Sequence, residues 1–212
     1  MFEFSNKKIK ENLAKKNKEY YQVVLGSALY NIGYIHSDEG NAEVAIEFYL
    51  KALSIKKEIE DEAGAASVLN NIGAIYFHQG NLEKSLYYYD KSLKVYEEID
   101  DKKGMSISLN NIGLIYEGQV DIDEAFTYHF KSLEIREMID HKEGVATSLN
   151  NIGLLYDDQG EDEKALEFYF QSLIIREEIG DKKRICLSLN NIGFAYDEQG
   201  KLEKLLNIFR NH

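Results

Sequence analysis

The sequence predicts an all-α protein built from stacked pairs of antiparallel helices. The tetrapeptide Asn-Asn-Ile-Gly begins at Asn70, Asn110, Asn150 and Asn190, forty residues apart, and a drifted copy, Tyr30-Asn31-Ile32-Gly33, lies one period earlier. Within each period, apolar residues recur at helical spacing in two separate runs. A strict period of this size marks a linear array of small units, in which no helix pair buries its apolar face alone. The 212 residues contain no proline and no Ser/Gly-rich stretch, so one array fills the chain without a linker.

The elements follow in order. Residues 1–22 are expected to form a capping helix. Ile9, Leu13 and Tyr20 lie on one side of the polar stretch from Asn6 to Gln22, in the place of the second helix of a missing earlier unit. No turn glycine separates this stretch from Val23, which leaves the way open for one continuous helix. Residues 23–212 are expected to be the array, in repeats of about 23–62, 63–102, 103–142 and 143–182 and a partial 183–212. In the repeat around residues 64–103, Val68, Leu69, Ile72, Ile75 and Tyr76 mark a first helix. Gly80 closes it, because glycine tolerates the left-handed residue that commonly ends a helix. Asn81 is the expected N-cap of the second helix, with Glu83 in its first turn. Leu82, Leu86, Tyr89, Leu93 and Val95 mark that second helix. A short turn follows at 99–104, where Asp101 is placed to cap the next first helix.

Gly33, Gly73, Gly113, Gly153 and Gly193 lie inside first helices, where glycine costs about 1 kcal/mol relative to alanine. Close helix approach would offset that cost, with Ala45, Ser85, Ala125 and Ala165 as the expected partners. Three positions depart from the pattern. Val120 replaces the turn glycine, and valine tolerates positive φ poorly; that turn is expected to differ, with Gly118 closing the helix early. Asp162 stands where Leu82 and Ile122 stand, and Leu205 replaces the small residue facing Gly193.

Asn71-Ile72-Gly73, Tyr76, Gly80, Ser85, Tyr89 and Ser92 resemble the small-and-aromatic pattern of the tetratricopeptide repeat. The forty-residue period and phrases such as Ser132-Leu133-Glu134-Ile135-Arg136-Glu137 are similar to the longer repeats of kinesin light chains, Pins-type adaptors and bacterial sensor proteins. The resemblance implies a right-handed superhelical solenoid of about five repeats whose first helices line a concave groove. It also implies that the groove binds a protein or peptide.

On that geometry the inward residues are Asn31, Asn71, Asn111, Asn151 and Asn191, joined by Tyr30, Asn70, Asn110, Asn150 and Asn190. Tyr34, Ala74, Leu114, Leu154 and Phe194 lie one turn on. Asparagine inside a helix costs roughly 0.5 kcal/mol relative to alanine, so nine of them call for compensation. Two readings stay open: amides that bond a peptide backbone, or amides that bond one another and the adjacent repeat. No Lys or Arg falls on these positions, and Asp38, Glu117, Asp157, Asp158, Asp197 and Glu198 lie toward the groove edge. The clamp for a C-terminal carboxylate that chaperone-binding relatives use is therefore absent from the pattern, and the expected partner is neutral to basic. Lysines gather instead at the inter-repeat turns, as at Lys102, Lys103, Lys142, Lys182 and Lys183.

A net charge of −12 disfavours nucleic acid and anionic membrane surfaces as partners. With no signal-like start and no long apolar run, a cytoplasmic location is expected. Cys186 is the single cysteine and is expected to be a buried small hydrophobe. His129 takes the place of Tyr49, Tyr89 and Tyr169 and is expected in the core. No metal spacing, phosphate loop or nucleophile motif appears, so neither cofactor nor enzymatic activity is expected. The expected function is a protein-interaction scaffold; the alternatives are a regulatory or sensor module and a self-assembling array. At the far end, Leu205, Leu206 and Phe209, with Leu202 and Ile208, form an apolar cluster in an unfinished helix and are expected to support a homodimer.

Overall fold

Eight of the described helices are stopped by the same backbone device, and that device sets the architecture. The computed structural model describes the backbone of residues 2–198, with side chains for residue 12 and residues 15–197. The described residues form helices α1 (Phe2–Asp38), α2 (Ala42–Glu58), α3 (Glu62–His78), α4 (Leu82–Glu98), α5 (Lys102–Gly118), α6 (Ile122–Met138), α7 (Lys142–Asp158), α8 (Asp162–Glu178) and α9 (Lys182–Glu198), and no strand. Each helix after α1 has 17 residues and each connection has three, so the chain reverses every twenty residues. Leu205, Leu206 and Phe209, with the rest of that end of the chain, lie outside the described residues.

The middle residue of each three-residue connection has positive φ. Gly40, Gly80 and Gly160 occupy it within repeats, and Glu60, Asp100, Asp140 and Gly180 occupy it between them. Around Gly80, the Gly80 N–H donates to Phe77 O at 2.9 Å and the Asn81 N–H to Tyr76 O at 2.9 Å. This paired closure satisfies carbonyls that the helix end would otherwise orphan. At several turns the next residue then caps the following helix: Asn81 Oδ1 accepts from the Lys84 N–H and Asp101 Oδ1 from the Gly104 N–H, whereas the side chains of Asn41, His141 and Glu161 make no such bond.

Val120 corrects an expectation. It is left-handed, with φ of 61° against 72° at Gly80, and α5 ends at Gly118 at its full length. The same two bonds form, from the Val120 N–H to Glu117 O at 3.0 Å and from the Asp121 N–H to Tyr116 O at 2.9 Å. Two helix-end closures and an Asp121 cap on the Glu124 N–H outweigh the strain, and the exposed valine side chain meets no obstacle.

The chain divides into two compact units, Met1–Gly104 and Met105–His212. In the first, α1 packs on α2, α2 on α3 and α3 on α4. Ala45, Tyr49 and Ala52 of α2 share a core with Val68, Ile72 and Ile75 of α3. In the second, α6 packs on α7, α7 on α8 and α8 on α9. Its core includes Leu133 with Leu149 and Ile152, and Ala165, Tyr169 and Leu173 with Ile192 and Ala195.

The helical glycines do permit close approach, but the main occupant differs from expectation. A Cβ at Gly33, Gly73, Gly113 or Gly153 would meet the ring of Tyr49, Tyr89, His129 or Tyr169 within 2.6–2.8 Å. An aromatic ring is flat and fills the slot that a missing Cβ leaves. The small residues Ala45, Ser85, Ala125 and Ala165 are fully buried beside it, and the Ser85 hydroxyl donates to Gly73 O at 2.9 Å. Cys186 is another correction: it is exposed.

The N-terminal helix runs on. α1 has 37 residues, the length of two 17-residue helices plus the three-residue turn between them. Tyr20 and Tyr21 stand where Glu60 and Asp61 make a turn forty residues later, and neither supplies a left-handed residue or a cap. The helix therefore passes straight through this position.

The strain at Val120 makes a direct prediction. Val120→Gly should stabilise the protein by about 1 kcal/mol, since a left-handed non-glycine residue costs roughly 1–2 kcal/mol and the freer unfolded glycine returns part of it. Denaturant unfolding would show this as a raised midpoint at unchanged slope, and a lowered midpoint would contradict it.

Candidate functional site

The asparagine pairs sit on first helices, and in the second unit the fold places the two members of each pair differently. In the second unit, Asn110 and Asn150 are buried, while Asn111, Asn151 and Asn191 are half-buried and Asn190 is exposed. In the first unit, Asn70 and Asn71 are half-buried and Asn31 is exposed.

The amides are bonded from repeat to repeat. Asn151 Nδ2 donates to Asn110 Oδ1 at 3.1 Å, and Asn191 Nδ2 donates to Asn150 Oδ1 at 3.1 Å. In the first unit, Asn71 Nδ2 donates to the Tyr30 hydroxyl at 2.9 Å and reaches the Tyr49 hydroxyl at 3.4 Å. Burial pushes the Tyr49 phenol up to about 12, so it stays neutral. Of the two readings left open by the sequence, these are the bonds of the inter-repeat one. They account for Asn110, Asn150, Asn151 and Asn191, because each bonded amide has a buried acceptor to satisfy.

Two arginines that the sequence reading missed complete the arrangement. Arg136 of α6 and Arg176 of α8 are buried. Arg136 Nη1 reaches Asn110 Oδ1 at 3.3 Å, Gly144 O at 3.0 Å and Ser148 Oγ at 2.8 Å. Arg176 Nη1 repeats the pattern with Asn150 Oδ1 at 3.4 Å, Arg184 O at 2.9 Å and Ser188 Oγ at 2.6 Å. Burial lowers the Arg136 guanidinium to about 10, and it lowers Arg176 in the same direction, with nearby Arg184 adding to the effect. Both remain charged at neutral pH. Nε of each has no hydrogen-bond partner, so these bonds are made through Nη1. Their forty-residue spacing, in the place that Tyr96 takes in the repeat before, was the available signal.

The carboxylates expected at the groove edge converge only in part. Glu117 and Asp157 are half-buried; Asp38, Asp158 and Asp197 are exposed, and the Glu198 side chain lies outside those described. The Tyr169 hydroxyl donates to Asp157 Oδ2 at 3.2 Å. Its phenol is raised by burial first and then by the charges of Asp157, Asp158 and Glu117. His129 is fully buried, as expected, with Nε2 3.8 Å from Glu117 Oε2 and no hydrogen bond to either ring nitrogen. One turn along the first helices, Tyr34 and Phe194 are exposed, and Ala74, Leu114 and Leu154 are half-buried. No cluster of three or more metal-ligating side chains occurs among the described residues. No described helix is long and apolar enough to cross a membrane.

Comparison with known proteins agrees with this architecture. The tetratricopeptide repeat profile matches residues 24–98, 64–138 and 104–178, and the chain belongs to that family. Among solved structures it is similar to BtubC (BKLC) from P. vanneervenii, at 20% identity and a TM-score of 0.78, over 92% of this chain and 82% of that one. It is similar to a Rap protein complexed with Competence and Sporulation Factor, at 19% identity and a TM-score of 0.74, over 86% of this chain and 51% of the other. It also resembles nearly identical TPR-like repeats from Podosopora anserina, at 12% identity and a TM-score of 0.67, over 87% and 91% of the two chains. The chain thus spans about half the length of the Rap protein. At these identities the likeness concerns the fold. Among curated proteins none matches the chain.

The buried arginine makes a second prediction. Arg136→Ala should destabilise the protein by about 3 kcal/mol, because it removes a charged donor from three buried oxygens, Asn110 Oδ1, Gly144 O and Ser148 Oγ, and hydrogen bonds to charged groups are worth about 1.5–3 kcal/mol. Arg136→Lys should cost less. Urea unfolding measures both, and a loss for Arg136→Ala below about 0.5 kcal/mol, the range of ordinary surface changes, would show that the network contributes little.

Proposed function

We propose that this protein is an interaction scaffold that holds a peptide or helical segment of a partner protein against its first helices. The observation that carries the reading is the half-buried row Asn151 and Asn191. Each spends one amide hydrogen on the neighbouring repeat. An asparagine amide offers two donors and an acceptor, so each keeps capacity for a backbone in contact with it while the inter-repeat bond fixes its orientation. Asn111 extends this set, with Asn110 and Asn150 acting through the amides they hold, and in the first unit Tyr30, Asn31, Tyr34, Asn70 and Asn71 form a set of their own. A preoriented amide loses little freedom on binding.

The partner is neutral to basic. Support comes from the net charge of −12 and from the carboxylates Glu117, Asp157 and Asp158, whose charges act on Tyr169. The similar Rap protein is complexed with Competence and Sporulation Factor, which favours a second reading in which a signalling factor occupies the site and regulates the scaffold.

The test is a binding measurement on a peptide array that varies charge and C-terminal amidation, followed by isothermal titration of the best ligand. Asn151→Ala with Asn191→Ala should weaken that ligand about tenfold or more, each lost hydrogen bond being worth roughly 0.5–1.5 kcal/mol. Amidating the peptide C-terminus should leave affinity unchanged. Unaltered affinity in the double variant, with a large loss of stability, would assign the asparagines to structure alone.

A further inference from the structure

The first helix carries an apolar face that every comparable helix in its unit keeps covered. Ile32 and Ile35 are 36% and 53% exposed, whereas Ile72 and Ile75, one repeat later on α3, are 0% and 5% exposed. Ala28 is exposed where Val68 is buried. The difference lies in what covers them. On α3 the face is covered by Ala45, Tyr49 and Ala52 of α2. Antiparallel helices joined by a tight turn put Ala45 level with Ile75, Tyr49 with Ile72 and Ala52 with Val68. On α1 no described helix takes the place of α2, and the open face continues through Tyr21, Val24 and Leu25, all exposed.

The sequence of the helix that should lie there is present in the same chain. Ser5 occupies the repeat position of Ala45 and Ser85, Ile9 that of Tyr49 and Tyr89, Leu13 that of Leu53 and Leu93, and Lys16 that of Lys56. Residues 2–20 thus have the pattern of a second helix, but α1 carries them straight on from the face they match. Folding back within one chain would need a left-handed residue at Tyr20, where the other inter-repeat turns use Glu60, Asp100, Asp140 or Gly180, and it would forgo at Tyr21 the side-chain cap that Asp61, Asp101 and Asp181 supply.

We propose that two copies of this protein pair through α1, each straight helix laying its residues 2–20 antiparallel along residues 21–38 of the other. Ile9 of one copy then lies level with Ile32 of the second, Ser5 with Ile35 and Asn12 with Ala28, the register that α2 keeps on α3. Each copy supplies both halves of the contact, so the pair closes on a two-fold axis near Tyr20 and Tyr21 and does not propagate. Charge favours the same occupant. Residues 2–20 hold six lysines and three glutamates in a chain of net charge −12, so a basic segment meets an acidic second copy.

Sedimentation equilibrium of the full chain tests this, with variants that leave helicity unchanged by circular dichroism. The wild type should be a dimer at micromolar concentration. Ile32→Asp with Ile35→Asp should weaken the dimer on the order of a hundredfold or more, since each isoleucine leaves an apolar contact for water, and Ile9→Asp with Leu13→Asp should do the same from the other side. In a Cys186→Ser background, a short bis-maleimide should join Ile9→Cys of one copy to Ile32→Cys of a second. A monomer at high micromolar concentration overturns the proposal. So does an intrachain cross-link when both cysteines are on one chain. A dimer that survives the α1 changes and is lost in Leu206→Asp with Phe209→Asp also overturns it, by placing the contact at the other end.

Discussion

The structure depends on one backbone constraint: a left-handed residue every twenty positions from Gly40 to Gly180. Each reversal closes one helix by two hydrogen bonds to its last carbonyls, and the next helix starts two residues on. The spacing gives helices of equal length, and equal length brings residues forty apart into equivalent environments. That is why one asparagine can bond the next, one arginine can repeat the contacts of another, and a glycine in each first helix can receive a ring from the second. Where residue chemistry withholds the reversal, at Tyr20 and Tyr21, two helices become one and an apolar face is left open.

Inside the second unit the repeats are joined by polar groups as well as by apolar contact. The guanidinium of Arg136 gathers oxygens from Asn110, Gly144 and Ser148, and Asn151 closes the same oxygen of Asn110 from the far side. The serines behave alike: Ser132 donates to Ser106 O and Ser172 to Ala146 O, each buried. Buried polar groups contribute little net stability, but each is costly to leave unmade, so such bonds fix the stacking register more than they strengthen it. A surface held in register can present half-buried amides at a fixed spacing, and this links the repeat to the proposed binding role.

Most of the fold was legible in the sequence because its signal repeats. Five copies of one pattern made Gly80, Asn81 and Asp101 readable as a stop, a cap and a second cap. Val120 was misread because positive φ was weighed as a property of valine alone, while two hydrogen bonds and the Asp121 cap act on the whole turn. The glycine contacts were half read: the need for space was visible, but the ring that fills it sits sixteen residues on and gives no local sign. Arg136 and Arg176 were overlooked because arginine is rarely buried, although both recur at a core-facing place of the second helix. Cys186 shows the reverse error, since the small apolar residue expected inside lies at the surface. For the site, the sequence gathered the asparagines correctly but could not separate Asn110 and Asn150, which bury, from Asn111 and Asn151, which do not; neighbours differ by about 100° around a helix, and only packing says which side is covered.

The central claim is that the twenty-residue reversal, and its omission at Tyr20, determines the architecture. Backbone NMR of the isotopically labelled full chain reads it directly through φ-sensitive couplings and Cα shifts. The account predicts left-handed values at Glu60, Asp100, Val120 and Asp140 beside the glycines, and helical values without interruption from Tyr20 through Gln22. A helical Val120, or a left-handed residue at Tyr20, would contradict it.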